Sequence, residues 1–137
     1  MSDDLIHPKD FYGKLNTAIR DAGGVTAFAR LHNLDTRRVY ETQEAVRYHE
    51  DVARAVGLVP VARYPVAADP ASLVAGRVIY EKLNTFVREC GSQKAAADKI
   101  GITKAHLGNI INARRGLRPV LASLGFMAPL TRFVPVK

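Results

Sequence analysis

The chain has 137 residues, of which 47% are hydrophobic and 24% charged, a composition typical of folded proteins that excludes an intrinsically disordered one. Its formal net charge of +7 at pH 7 favours a polyanionic partner, nucleic acid above all. No apolar run approaches the roughly 18 residues that span a bilayer, so we expect no membrane partner.

The chain contains two copies of one unit, related by a shift of 68 places. The segment YGKLNTAIRDAG (12–23) aligns with YEKLNTFVRECG (80–91). Further along, PVARYPV (60–66) aligns with PLTRFVPV (129–136) after one insertion. Because there are only two copies and the period exceeds that of solenoid repeats, this is a tandem duplication.

Each copy is predicted to contain a short bundle of helices followed by an extended segment. The first helix is predicted to begin near Pro8, because apolar residues follow at helical spacing. Gly23 is expected to end this helix in the left-handed conformation, and Gly91 is expected to end the corresponding helix of the second copy. Two short helices joined by a tight turn and one further short helix follow. The extended segments carry prolines, which favour an edge position or a two-stranded pairing. We expect them to pair, either with each other or across a dimer.

Small residues and prolines separate the two copies. The stretch PVAADPAS predicts a linker at 67–72 between an N-terminal domain (1–66) and a C-terminal domain (73–137). Within it, Asp69 suits an N-cap and Pro70 suits the first helical position, so a helix is predicted to start there. The predicted fold is mainly α, with two repeated small helical units that each end in a short β segment.

The stretch GSQKAAADKIGITKAHLGNIINARR has the spacing of a helix-turn-helix motif. Ala97 provides a small residue where two helices cross, and Gly101 tolerates the positive φ that the turn requires. Thr103 suits the N-cap of the second helix. Leu107 and Ile110 lie three apart and are predicted to face inward. Spacing, turn and cap therefore favour the same motif.

These residues resemble the helix-turn-helix of phage repressors of the lambda repressor and Cro type. In that family a Gln opens the first helix, Ala-x-x-x-Gly follows, and a Gly-Ile-Ser/Thr turn leads into the recognition helix. The matching residues here are Gln93, Ala97 to Gly101, Ile102-Thr103, the NARR stretch at 112–115 and Leu124-Gly125. The resemblance covers both copies, is stronger in the second, and implies two lambda-repressor-like units in one chain.

The resemblance implies a recognition helix over 103–112 that enters the major groove of double-stranded DNA. The implied base-contacting residues are Thr103, Lys104, Ala105 and Asn109. Lysine donates to guanine, asparagine bonds adenine and an alanine methyl contacts thymine, so these residue types suit base edges. The implied phosphate-contacting residues are Gln93, Asn112, Arg114, Arg115 and Arg118.

The first copy keeps the apolar framework and changes the outward residues. Asn33 replaces the turn glycine, which asparagine can do because it tolerates positive φ. Three carboxylates, Asp35, Glu41 and Glu44, lie among the outward residues and oppose phosphate binding. The candidate second set of DNA contacts is Thr36, Arg37 and Arg38.

Three hypotheses for the first copy stay open at this point. Both copies bind DNA as an intrachain pseudo-dimer, or residues 1–66 serve self-association or bind another protein while the second copy of each chain binds DNA in a homodimer, or the first copy only extends the core. The expected function is a sequence-specific DNA-binding transcriptional regulator, a phage or mobile-element repressor that occludes a promoter. The alternative is a helix-turn-helix-derived protein-interaction module, such as an inhibitor of a host protein or an assembly factor.

Residues that carry chemistry are sparse. The only cysteine, Cys90, has no partner for a disulfide, which favours the cytoplasm as the compartment. The four histidines are scattered, and no paired-carboxylate, Cys–His or phosphate-binding glycine motif occurs. We therefore expect no enzymatic activity, no metal site and no cofactor.

Overall fold

The computed structural model describes residues 5–136. They form a mainly helical fold with a small three-stranded antiparallel sheet, which agrees with the prediction of a mainly α fold that includes short β segments. The helices are α1 (Pro8–Ala22), α2 (Val25–Leu31), α3 (Thr36–Gln43), α4 (Glu50–Ala55), α5 (Gly76–Cys90), α6 (Gln93–Ile100), α7 (Lys104–Ile111) and α8 (Arg118–Leu124), and the strands are β1 (Leu58–Val66), β2 (Asp69–Val74) and β3 (Leu130–Pro135).

The two copies share one backbone layout. Helices α5 and α7 follow α1 and α3 at the same 68-residue offset that relates the copies in sequence. Asn33 (φ 56°) adopts the left-handed conformation at the position of Gly101 (φ 94°), as predicted for this turn, and Ala45 (φ 61°) does so at the position of Ala113 (φ 60°). The remaining matched left-handed positions are Gly23 with Gly91 and Gly57 with Gly125. The sequence repeat is therefore also a repeat of backbone conformation.

One compact unit, called here the N-terminal unit, consists of the described residues of Met1–Val61 and Thr131–Lys137. Its core is built on the predicted apolar face of α1, where Phe11, Leu15 and Ile19 are buried. Phe133 of β3 is fully buried in this core and stacks on Phe11, with ring centroids 4.1 Å apart. The backbone of Ile6 pairs with that of Phe133 through hydrogen bonds of 2.7 and 2.9 Å.

The second compact unit, called here the C-terminal unit, spans Ala62–Leu130. Its core is centred on α5, where Ile79 and Leu83 are fully buried, and includes the buried faces of α6, α7 and α8. Tyr64 and Val66 of β1 pack against this core. Backbone hydrogen bonds of 2.9 Å join Ala67 to Gly125 and Met127 to Pro65.

The terminal strand of each copy therefore contributes apolar side chains to the unit built mainly from the other copy. Phe133 comes from the second copy and completes the core of the N-terminal unit, whereas its counterpart Tyr64 packs in the C-terminal unit. The compact units thus divide at 61/62 and 130/131. These divisions differ from the predicted domains 1–66 and 73–137, which assumed that each copy folds on its own.

The three strands are ordered β2-β1-β3, so the two terminal segments, β1 and β3, are neighbours in one sheet. Of the two predicted arrangements, the chain therefore adopts pairing of the segments with each other and not pairing across a dimer. The prediction that prolines keep such a segment at an edge is wrong for β1, which is central. Its registered pairing with β2 is confined to Tyr64–Val66, so Pro60 lies outside it. The register of this pairing shifts between Pro65 and Val66, at the second proline.

The predicted linker at 67–72 and the predicted helix start at Asp69 are also wrong. Asp69–Val74 forms β2, which folds back on β1 in a hairpin, and α5 begins only at Gly76. Pairing with β1 provides backbone hydrogen bonds to this segment, and Pro70 is tolerated because β2 is an edge strand. The local preference of Asp69 and Pro70 for a helix start is thus outweighed by the pairing of this segment with β1.

Candidate nucleic-acid interface

Helices α6 and α7 are joined by a tight turn that the local sequence determines. Ser92 caps α6 by accepting a hydrogen bond from the Ala95 amide at 3.1 Å. Gly101 ends α6 in the left-handed conformation, and Thr103 caps α7 by accepting from the His106 amide at 3.0 Å. The turn and the Thr103 cap are those that the sequence predicted.

The inward face of this helix pair belongs to the core of the C-terminal unit. Ala96 and Ala97 of α6 are buried, and Leu107 and Ile110 of α7 are fully buried. The predicted inward pair is therefore confirmed. Because these four side chains fix the rotation of both helices, the remaining residues of α7 point to solvent or lie at the rim of the core.

The predicted base-contacting residues lie on this outward side of α7. Thr103, Lys104 and Ala105 are exposed, and Asn109 is half-buried. A shallow depression of about 330 Å³ is lined by Thr103, Ala105, His106, Asn109 and Arg115. The structure therefore brings three of the four predicted base-contacting residues and one predicted phosphate-contacting residue to one concave surface, whereas Lys104 does not line it.

His106 also lines this depression, although it was not among the predicted base or phosphate contacts. It sits one helical turn after Thr103 and one before Asn109, so all three share a face of α7. This spacing is visible in the sequence and could have identified it. The ring of His106 adds two nitrogen atoms that can form hydrogen bonds to the lining of the depression.

The remaining predicted phosphate-contacting residues do not line the depression. Gln93 is exposed at the start of α6, and its Oε1 lies 3.7 Å from where a side chain at Gly108 would begin. Asn112 is the C-cap of α7. Arg114 follows in the next turn, and Arg118 is the first residue of α8. All four side chains belong to exposed residues.

The segment of the chain that contains α7 carries basic residues and no acidic residue. From Lys99 to Val136 the sequence contains no Asp or Glu. Within residues 5–136, the side chains of Lys104, Arg114 and Arg115 form no hydrogen bond or ion pair with the protein. These charges are therefore available to an external anion.

The equivalent surface of the N-terminal unit is neutralised by its own carboxylates. Arg37 Nε lies 3.5 Å from Glu41 Oε2, and Arg38 Nη1 lies 3.4 Å from Asp51 Oδ2. Asp35 caps α3 by accepting from the Arg37 amide at 2.8 Å. Such exposed pairs add little stability, but each carboxylate cancels positive charge that a phosphate would otherwise meet. Of the candidate second set, Thr36 is half-buried and both arginines have carboxylate partners.

Two apolar residues of the N-terminal unit are more than two-thirds exposed. Leu31 is 70% exposed and Val46 is 71% exposed. They occupy the positions that Lys99 and Arg114 hold in the second copy. The first copy thus has apolar side chains where the second has cations.

Glu41 is held in its ionised form. Its Oε1 lies 2.7 Å from His49 Nε2, and this hydrogen bond, helped by the charges of Arg37 and Arg47, lowers the pKa of Glu41 below its ordinary value of 4.5. A lowered pKa contributes stability that is complete above the ordinary value and is lost as the pH falls through 4.5 toward the lowered value.

We therefore expect Glu41→Gln to make the N-terminal unit less sensitive to acid. Between about pH 6 and about pH 3, the thermal midpoint of the wild type should fall further than that of the variant. Thermal melts followed by circular dichroism measure this difference. Glu44→Gln is the matched control and should behave as the wild type. Equal acid sensitivity of the wild type and Glu41→Gln would contradict the assignment.

No protein-family model, no curated protein and no solved structure matches the chain. Among residues 5–136, no group of three or more His, Cys, Asp or Glu side chains is arranged to hold a metal ion. The helices of this part of the chain also include none that is both long and apolar enough to cross a membrane.

Proposed function

We propose that the protein is a sequence-specific double-stranded-DNA-binding transcriptional regulator and that α6 and α7 form its helix-turn-helix. The observation that carries the proposal is the outward face of α7, where Asn109 and Thr103 share a depression with Arg115, whose side chain has no carboxylate partner within residues 5–136. The resemblance of these residues to phage repressors of the lambda repressor and Cro type supports it.

In this mechanism α7 enters the major groove with its capped N-terminus leading. Lys104 and Asn109 donate to base edges, and the methyl group of Ala105 contacts a thymine methyl. Arg114, Arg115 and the other predicted phosphate contacts hold the backbone on either side and provide most of the salt-dependent affinity. Bound at a promoter, the protein represses by occluding it, as a regulator of a phage or mobile element.

We propose that only the C-terminal unit of each chain contacts DNA. The N-terminal unit keeps the backbone layout, but Arg37 and Arg38 are paired with carboxylates, and Val46 stands in the position of Arg114. A palindromic operator would then recruit two chains as a homodimer, and an intrachain pseudo-dimer is the arrangement that this proposal rejects.

The function is tested by selecting binding sites from a random duplex library. We expect one motif to be enriched by the wild type. Asn109→Ala should lose the preference at one base pair, a discrimination of about 1–3 kcal/mol for a bidentate contact. Asn112→Ala, which removes a proposed phosphate contact, should weaken binding to all duplexes and keep the motif. Absence of any enriched motif, or an unchanged motif for Asn109→Ala, would contradict the proposal.

The exposed apolar residues of the N-terminal unit favour a second candidate function, a protein-interaction module. Leu31 and Val46 suit a partner with an apolar surface, and the paired charges around α3 reduce repulsion of a mixed-charge protein. Capture experiments on nuclease-treated lysate distinguish the two functions. A stoichiometric partner retained by the wild type and lost by Val46→Arg supports the module, whereas binding that disappears with the nucleic acid supports DNA recognition.

A further inference from the structure

The turn that follows α7 has an unusual backbone conformation at Ala113. Its φ of 60° is in the left-handed region, where residues other than glycine, asparagine and aspartate are uncommon. The turn is closed by a hydrogen bond of 3.0 Å from the Ala113 amide to the Ile110 carbonyl. A turn closed by this hydrogen bond thus ends the proposed recognition helix.

The two arginines that follow Ala113 are hydrogen-bonded through their backbone to a single carbonyl of α7. The amides of Arg114 and Arg115 both donate to the Asn109 carbonyl, at 2.8 and 3.3 Å. The side chain of Asn109 lines the depression on α7, as does Arg115. The residue proposed to contact a base therefore also fixes the backbone of the two arginines proposed to contact phosphates.

We infer that Ala113 is a positioning residue for these phosphate contacts. Its left-handed backbone lets the Asn109 carbonyl bind both arginine amides, which orders the arginine backbone before DNA arrives. Preorganisation of this kind raises affinity because less conformational freedom is lost on binding. The inference rests on the proposed function, since it concerns the same interface.

The first copy contains the same turn without the arginine pair. Ala45 has a φ of 61°, and the amides of Val46 and Arg47 donate to the Glu41 carbonyl at 2.9 and 3.2 Å. The chain therefore has its own matched control, in which the same backbone strain is present and the first arginine is replaced by valine.

The test is a set of single substitutions in the full chain. A β-branched residue disfavours the left-handed region, whereas asparagine tolerates it. Ala113→Val should weaken binding to the selected duplex about five- to tenfold through lost preorganisation and lower the slope of log affinity against log salt by about one. Ala113→Asn should bind as the wild type, and so should Ala45→Val.

The readouts separate a positioning role from a stability effect. Ala113→Val and Ala45→Val should lower the thermal midpoint by similar amounts, but only Ala113→Val should change the salt slope. Wild-type affinity and slope in Ala113→Val, or a fivefold loss in Ala113→Asn or Ala45→Val, would overturn the inference while the wild type still prefers its selected duplex. If Ala113→Val is poorly folded, Ala113→Asn still tests the inference, because asparagine keeps the left-handed turn and a fivefold loss of affinity in this variant would overturn it. Loss of that preference in the wild type itself would instead contradict the proposed function.

Discussion

Replacing Arg114 and Arg115 together with alanine is expected to weaken DNA binding about 10- to 100-fold at near-physiological salt and to lower the salt slope by about two. Both residues are exposed, neither side chain has a partner within residues 5–136, and no carboxylate lies in the chain from Lys99 to Val136. Their charges therefore add directly to the attraction of phosphates. Anisotropy titrations of a labelled duplex at several salt concentrations measure both effects.

The matched control removes two arginines from the N-terminal unit. Arg37→Ala/Arg38→Ala deletes the same formal charge, but each of these side chains has a carboxylate partner, Glu41 or Asp51. Affinity and salt slope should stay close to those of the wild type. A loss as large as that of the Arg114/Arg115 variant would show that both units bind DNA and would restore the intrachain pseudo-dimer.

Phe133→Ala is expected to destabilise the protein by about 3–5 kcal/mol, the range measured when a buried phenylalanine is truncated. Phe133 is fully buried, stacks on Phe11 and lies edge-on to Tyr48 at 5.3 Å. The loss is a large share of the roughly 5–15 kcal/mol that stabilises a typical domain. Chemical unfolding of the full chain measures it.

Val136→Ala is the control for that substitution. Val136 directly follows β3, the strand that contains Phe133, and is 39% exposed. Its truncation should therefore change the free energy of unfolding by less than about 0.5 kcal/mol. If Phe133→Ala were equally mild, the C-terminal strand would not complete the core of the N-terminal unit.

The helical part of the fold could be predicted because its determinants are local. Gly101 and Thr103 act on backbone groups within four residues of themselves, and Leu107 and Ile110 follow the period of one helix. The duplication strengthened this prediction, since Asn33 in the first copy identified the position that needs a positive φ.

The sheet could not be predicted in the same way, because its contacts are far apart in sequence. Nothing near Phe133 indicates that it packs on Phe11, more than a hundred residues earlier. The capping residues at Asp69 and Pro70 favour a helix locally, and only the strand that pairs with them decides otherwise. The same non-local effect placed Tyr64 and Phe133 in the units built mainly from the other copy.

The positions of the candidate DNA contacts on α7 could be predicted only in part. Thr103, Ala105 and Asn109 were expected together and share one depression. The sequence contrast between the copies also indicated where charge changed. The pairing of Arg38 with Asp51 and the left-handed turn at Ala113 were not expected, because one depends on a tertiary contact and the other on a conformation that alanine rarely adopts.

The central claim, sequence-specific DNA binding, is tested most directly by one competition titration. The wild-type protein is bound to its selected duplex, and unlabelled selected and base-shuffled duplexes of equal length compete at near-physiological salt. We predict that the selected duplex competes at least about 1,000-fold better, the lower end of the range for specific DNA-binding proteins. Equal competition by the two duplexes would contradict the claim.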